Sequence, residues 1–311
     1  MAIVLALASA ITYGGSDFAA GLASRSADVI RVTLIASTAG LAVVLVALPL
    51  AAPRPPGTAA LAWGAVAGLS GMVGALALYL GFRHAAFSVA GPLSAVGAAG
   101  FSVLAGLLLG ERPTALALTG IVLALPAIVG VSASQPAAEQ AAAGEAEPAQ
   151  RDPGQAPADQ GSAGERPAAA GAHARGVLWG LLAGAGFGAL FIGLNRAGPG
   201  GGLWPVAAAQ VAALAAVTVI GAVTGHLHLP APGARRLAAA TGVAGGSGTI
   251  LYFLATQDGL LAVTAVLTSL YPAVTIVAAR LFLGERLTVL RLAGLGLAAA
   301  SVGLIAASGT G

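Results

Sequence analysis

LFLGERLT, residues 281–288, closes one long apolar run and opens another, and its near-copy LLLGERPT stands at residues 107–114. Sliding one half of the chain by 174 residues, the separation of Gly110 and Gly284, superposes the two without a gap. Gly110, Glu111, Arg112 and Thr114 then fall on Gly284, Glu285, Arg286 and Thr288, and Gly120 falls on Gly294. The same offset pairs Tyr13-Gly14 with Phe187-Gly188, Tyr79-Leu80 with Phe253-Leu254, and Ser94 with Thr268. In a chain with 46 glycines, matches among Ala, Leu and Gly carry little weight. The charged turn and the shared register carry the argument that the chain is an internal duplication.

Composition says what is duplicated. Of 311 residues, 58% are hydrophobic and 8% are charged, against roughly 25% charged in a soluble domain. The solvent of this chain is a bilayer. All fourteen basic residues are arginine and the net charge is +3, with no dense basic patch interleaved with aromatics, so no nucleic-acid partner is expected. Cysteine is absent, which excludes disulfides, thiolate chemistry and cysteine metal sites. The opening MAIVLALASAITYGG lacks a basic n-region and a cleavage site, and reads as the first membrane helix rather than a signal peptide.

A hydrocarbon core about 30 Å thick needs roughly 20 apolar residues per crossing helix. Ten runs meet this need, at 2–23, 30–51, 60–82, 87–109, 114–132, 176–195, 204–224, 237–257, 262–283 and 289–308. Trp63, Trp179 and Trp204 fall near the start of a run, at the headgroup level that an indole prefers. Five spans per half is an odd number, so the second half enters the membrane from the opposite side. The expected fold is an all-α integral membrane protein of ten transmembrane helices in two inverted five-helix repeats, residues 1–132 and 175–311. Between them, 133–174 hold six of the eleven acidic residues and almost no large apolar side chain; that segment is expected to be a disordered linker.

The repeated turn has a structural explanation. Gly110 and Gly284 suit the left-handed residue that ends a helix, Thr114 and Thr288 suit the N-cap of the next, and Glu111 and Glu285 favour the positive start of that helix. These residues are expected to shape turns, not to touch substrate.

Two five-span repeats, each ending LGER-x-T with a glycine six residues after the threonine, together with an aromatic-Gly-x-x-x-Phe pattern at Tyr13, Gly14 and Phe18, resemble the EamA group of the drug/metabolite transporter superfamily. The resemblance covers nearly the whole chain outside the linker. It implies a multi-pass carrier of small organic molecules in the cell membrane, often an exporter, with no cofactor. The chain departs from the family pattern in having Tyr-Gly where Trp-Gly is common, in Asp17, and in the length of its linker.

Polar groups inside spans are the candidates for a site, since an ionisable group in hydrocarbon is costly. At about 1.5 Å per residue, Asp17 lies roughly 22 Å along the first helix, well inside the bilayer if the span begins near Ala2. Alternatively the helix ends at Gly21 and Asp17 sits near the interface, paired with Arg25 or Arg31. Gly14 and Gly15 would permit close helix approach. In the ninth span Thr268, Tyr271 and Thr275 share one helix face at i, i+3, i+7 spacing, beside a carbonyl freed by Pro272; Ser94 is the first-half equivalent of Thr268. Thr249 and Tyr252 share a face of the eighth span, and Gln210 lies within the seventh. The expected substrate or coupling set is thus Asp17, Tyr13, Ser94, Gln210, Thr249, Tyr252, Thr268 and Tyr271. A membrane threonine or serine can instead spend its hydroxyl on its own i−4 carbonyl. Arg280, near a span end, suits an interfacial anchor.

Enzymatic chemistry finds no constellation here. The histidines at 84, 173, 226 and 228 are scattered, and no nucleophile, phosphate-loop or metal spacing occurs. No metal or cofactor is expected. Two functions remain: a carrier working by alternating access, with protons coupled through Asp17, or a non-transporting membrane subunit such as a sensor or lipid-handling partner. Repeat symmetry favours the carrier. Its expected partners are a small-molecule substrate, the lipid bilayer and protons, and a homodimer is compatible with it. Both termini are expected on one side. Eleven arginines lie on the opposite side, in or beside the loops after spans 1, 3, 5, 7 and 9, and three on the side of the termini; the positive-inside rule thus places both termini outside, whereas the resemblance implies both termini in the cytoplasm.

Overall fold

Hydrocarbon offers a backbone no hydrogen-bond partners, so a chain this apolar must satisfy its own N–H and C=O groups within helices. The computed structural model describes residues 1–24, 26–51, 57–84, 87–132, 165–228, 231–284 and 287–309, with only the backbone described at 51, 79–92 and 165–175. Residues 133–164 of the expected linker, Arg25, Glu285 and Arg286 lie outside the described residues. The described chain forms α1 (Ala2–Ser24), α2 (Val29–Ala47), α3 (Thr58–His84), α4 (Phe87–Leu108), α5 (Ala115–Ser132), α6 (Glu165–Arg196), α7 (Trp204–Thr224), α8 (Pro232–Asp258), α9 (Leu261–Thr268), α10 (Tyr271–Leu283) and α11 (Val289–Ala307). Among the described residues, nine stretches are long and apolar enough to cross a membrane, and Leu93–Leu108 within α4 is a shorter apolar helix. Large apolar side chains such as Val46, Val122 and Val219 are exposed on the outside, as a lipid-facing surface requires.

Two boundaries differ from expectation. The ninth span, expected as one helix, is broken into α9 and α10 at Ser269–Leu270. Pro272 has no N–H to return to the carbonyl of Thr268, so the helix cannot continue regularly through this point. At the linker, α6 already begins at Glu165, so the last part of the segment assigned to the linker, 165–174, is helical.

The repeats pack against each other as equivalents. α1 lies along α8 and α3 along α6; α2 meets α8 and α3 meets α7; α5 meets α11. The 174-residue offset converts each of the first two of these pairs of contacts into the other. Close approach depends on glycine. A Cβ on Gly68 would overlap the Ala209 carbonyl, and one on its equivalent Gly242 would overlap the Ala36 carbonyl. Likewise a Cβ on Gly74 would lie 3.2 Å from the Phe187 ring, and one on Gly248 3.1 Å from the ring of Tyr13. Of the adjacent glycines in α1, Gly14 is pressed against Tyr271 and Val274, whereas nothing lies within 4 Å of Gly15.

Among their described residues, the LGER turns are built from the expected pieces with one exception. Gly110 and Gly284 have φ of 91° and 70°, and the Thr114 and Thr288 hydroxyls accept from the amides of Ala117 at 3.2 Å and Arg291 at 3.4 Å. The amides of Gly110 and Glu111 return to the carbonyls of Leu107 (3.0 Å) and Gly106 (2.9 Å), the paired bonds of a glycine-terminated helix end. Glu111 is the exception: it does not serve the start of α5. Its carboxylate crosses to the other repeat and accepts from the amides of Leu261 at 2.5 Å and Ala262 at 2.9 Å, the first two residues of α9. The reason is the α9 N-terminus, whose N–H groups have no intrahelical partner and no capping side chain of their own.

A candidate substrate cavity between the repeats

A cavity of about 270 Å³ lies between the repeats, lined by α1–α4 from the first half and by α6, α7, α8 and α10 from the second. Its two walls differ chemically. Tyr13, Ser16 and Asp17 from α1, Thr241 and Thr249 from α8, and Tyr271 from α10 make one wall polar; Met72 and Leu78 from α3 with Phe187, Leu190 and Phe191 from α6 make the other apolar. Gln210 and Ser37 stand on α7 and α2. These walls are repeat equivalents, since Tyr13, Ser16, Asp17 and Thr249 correspond to Phe187, Leu190, Phe191 and Ala75 under the 174-residue offset. Duplication supplied the shape twice, and the side chains diverged.

The polar wall is held by α1. Ser9 and Ser16 donate to the carbonyls of Gly248 (2.8 Å) and Thr241 (2.9 Å), and between them the Tyr13 hydroxyl meets Thr249 Oγ1 at 2.9 Å. Thr249 also donates to the carbonyl of Gly245 at 2.9 Å. A hydroxyl has one hydrogen, so Tyr13 is the donor to Thr249, and the Tyr13 oxygen keeps its lone pairs for a guest. Ser9, Tyr13 and Ser16 stand at i, i+4, i+7, one face of a helix; this spacing was the available sequence signal for the two serines, which were not among the expected site residues.

Of the expected residues, Asp17, Tyr13, Gln210, Thr249 and Tyr271 line the cavity. Asp17 is solvent-accessible there, and among the described residues no arginine pairs with it. Tyr252, Thr268 and Ser94 do not line it. Tyr252 is fully buried, its ring 4.4 Å from that of Phe191 and its hydroxyl donating to the Phe191 carbonyl at 3.2 Å. The stripe on the ninth span faces α1: Thr268 donates to the Ala6 carbonyl at 3.4 Å and Thr275 to the Gly14 carbonyl at 3.1 Å. Only Tyr271 of that stripe reaches the cavity. Ser94 is buried close to Tyr271, although its hydroxyl does not meet hydrogen-bond geometry.

This placement is open to test in a chain without cysteine. Single cysteines at Gln210 and Tyr271 are expected to react with small water-soluble thiol reagents, and cysteines at Tyr252 and Thr268, both 0% exposed, are expected to stay unlabelled. Equal labelling of the two pairs, measured by mass shift, would contradict the assignment of the cavity.

Apolar membrane-length helices in two repeats, with a broken helix and a cavity between them, have the architecture that many membrane transporters use. The chain belongs to the EamA-like transporter family, whose model matches residues 1–133 and 174–307, one match on each repeat. It is therefore a drug/metabolite-type membrane transporter, in a family of transporters rather than enzymes, with a small-molecule substrate and a lipid surround. A protein of known crystal structure shares the fold with a TM-score of 0.73 over 98% of each chain, at 14% identity. No curated protein matches the chain.

Proposed function

We propose that this transporter exports a small organic metabolite or drug-like molecule across the plasma membrane by alternating access, with protons coupled through Asp17. The observation that carries the reading is a cavity between inverted repeats with an accessible carboxylate in its wall. A rocking pair of repeats exposes such a cavity to each side in turn, and a carboxylate there takes up a proton on one side and releases it on the other. A non-transporting membrane subunit, the competing reading, requires neither feature.

Asp17→Asn keeps size and hydrogen-bonding capacity while removing the titration. In reconstituted vesicles the variant is expected to fold and to exchange substrate down its own gradient, but to lose accumulation driven by a pH step. Full pH-driven accumulation by Asp17→Asn would reduce Asp17 to a packing residue and make the carrier facilitative.

A further inference from the structure

Taking the cavity to be the substrate site, we propose that its ligand is an amphipathic organic cation: an amine whose ammonium sits against Asp17 and whose apolar body lies along the α6 wall. Charge is the first ground. Among the lining residues described, Asp17 is the one acidic or basic residue, and none is an arginine or a histidine. An anionic ligand would therefore meet a carboxylate with nothing to offset it, and a neutral apolar ligand would cover that carboxylate without a partner, which is costly in a low-dielectric site.

Hydrogen bonding is the second ground. With its proton given to Thr249, Tyr13 offers a guest an oxygen that accepts, as Asp17 does. An ammonium has three donors and no acceptor, so it complements this pair. The tyrosine rings of residues 13 and 271, both on the same wall, add favourable faces for a cation.

The third ground is the opposite wall. Phe187, Leu190, Phe191 and Met72 present no side-chain hydrogen-bonding group that a polyol or nucleobase would need, but they suit a ring or short alkyl chain. With polar side chains supplied by α1, α8 and α10 and apolar ones by α3 and α6, the ligand lies with its head on the first set and its body on the second. The start of α10 at Tyr271 is the feature that would favour a carboxylate, which makes a zwitterion the informative competitor.

The test uses the purified full chain at neutral pH and four probes: 2-phenylethylamine, phenylalanine, 3-phenylpropionate and methylamine. Binding is measured by equilibrium dialysis of labelled probe. 2-Phenylethylamine is expected to bind, with the zwitterion, the anion and the bodiless amine each weaker by about tenfold or more. Asp17→Asn is expected to weaken 2-phenylethylamine by about tenfold and Asp17→Glu to preserve the order of the probes. Leu190→Asn, on the apolar wall, is expected to weaken 2-phenylethylamine and leave methylamine unchanged, which keeps the proposal testable should Asp17→Asn fail to fold. Binding of phenylalanine or 3-phenylpropionate as tight as that of the amine, an amine affinity unchanged in Asp17→Asn, or no binding by any probe would each overturn the proposal. Counterflow in vesicles separates it from the transport reading. Amine binding without counterflow sinks transport and leaves the ligand class standing; counterflow of an anion, unaffected by Asp17→Asn, does the opposite.

Discussion

Gly68→Ala and Gly242→Ala are each expected to cost about 3 kcal/mol or more of stability, read as a large fall in the thermal midpoint of the detergent-purified protein. Both glycines sit where a helix of one repeat meets a helix of the other, Gly68 of α3 on Ala209 of α7 and Gly242 of α8 on Ala36 of α2. The atom that an added methyl would strike is a backbone carbonyl oxygen in each case. A side chain can change rotamer, but a carbonyl in a helix cannot move without moving the helix, so the two repeats must separate. In lipid no hydrophobic force draws them back, because tails solvate the parted surfaces as well as another helix does. Gly15→Ala is the control: with nothing within 4 Å, it is expected to change stability by no more than about 0.5 kcal/mol. A midpoint for Gly68→Ala equal to that of Gly15→Ala would mean that the interface is not the one described.

Glu111→Ala is expected to have an effect of similar size by a different route. The carboxylate holds the amides of Leu261 and Ala262, and α9, whose eight residues are all buried, leaves little room for water to replace it. Each donor left unsatisfied costs about 1–3 kcal/mol, so the variant is expected to lose about 2–6 kcal/mol in thermal unfolding. Glu111→Gln retains one acceptor oxygen and is expected to lose about half as much, whereas Thr114→Ala removes an ordinary N-cap worth about 1 kcal/mol. If Glu111 acted only on its own turn, as the sequence suggested, Glu111→Ala and Thr114→Ala would be equivalent, and that equality is the result to look for against this account. Gly106 bears on the same contact, since a Cβ there would overlap the Glu111 carboxylate.

Reading the sequence recovered the helical class, the duplication and the caps, because each is encoded locally. Apolar run length counts crossings, a left-handed residue calls for glycine, and an N-cap calls for an oxygen one turn ahead of its amide. Five of the eight residues expected to bind or couple substrate line the cavity, and their signal in the sequence is that a polar side chain within an apolar run is conspicuous. Tyr252 and Thr268 lie outside the lining, which the sequence could not show, because periodicity says that residues share a face but not what that face meets. Thr268 faces the backbone of α1 and Tyr252 faces Phe191, so both spend their hydroxyls on carbonyls of other helices.

The sequence by itself thus determined an all-helical membrane chain in two halves and the glycine and threonine that cap each repeated turn, since lipid leaves the backbone no alternative to helices and the 174-residue offset is visible in the residues themselves. Which helices touch was decided only by tertiary structure. Among 46 glycines nothing local distinguishes Gly68, which admits a carbonyl of the other repeat, from Gly15, which admits nothing. The same holds for Glu111, whose partners lie 150 and 151 residues away, and for the cavity, whose polar and apolar walls come from α1 and α6. Association of helices in a membrane rests on shape and on hydrogen bonds between distant segments, and neither leaves a periodic trace along the chain.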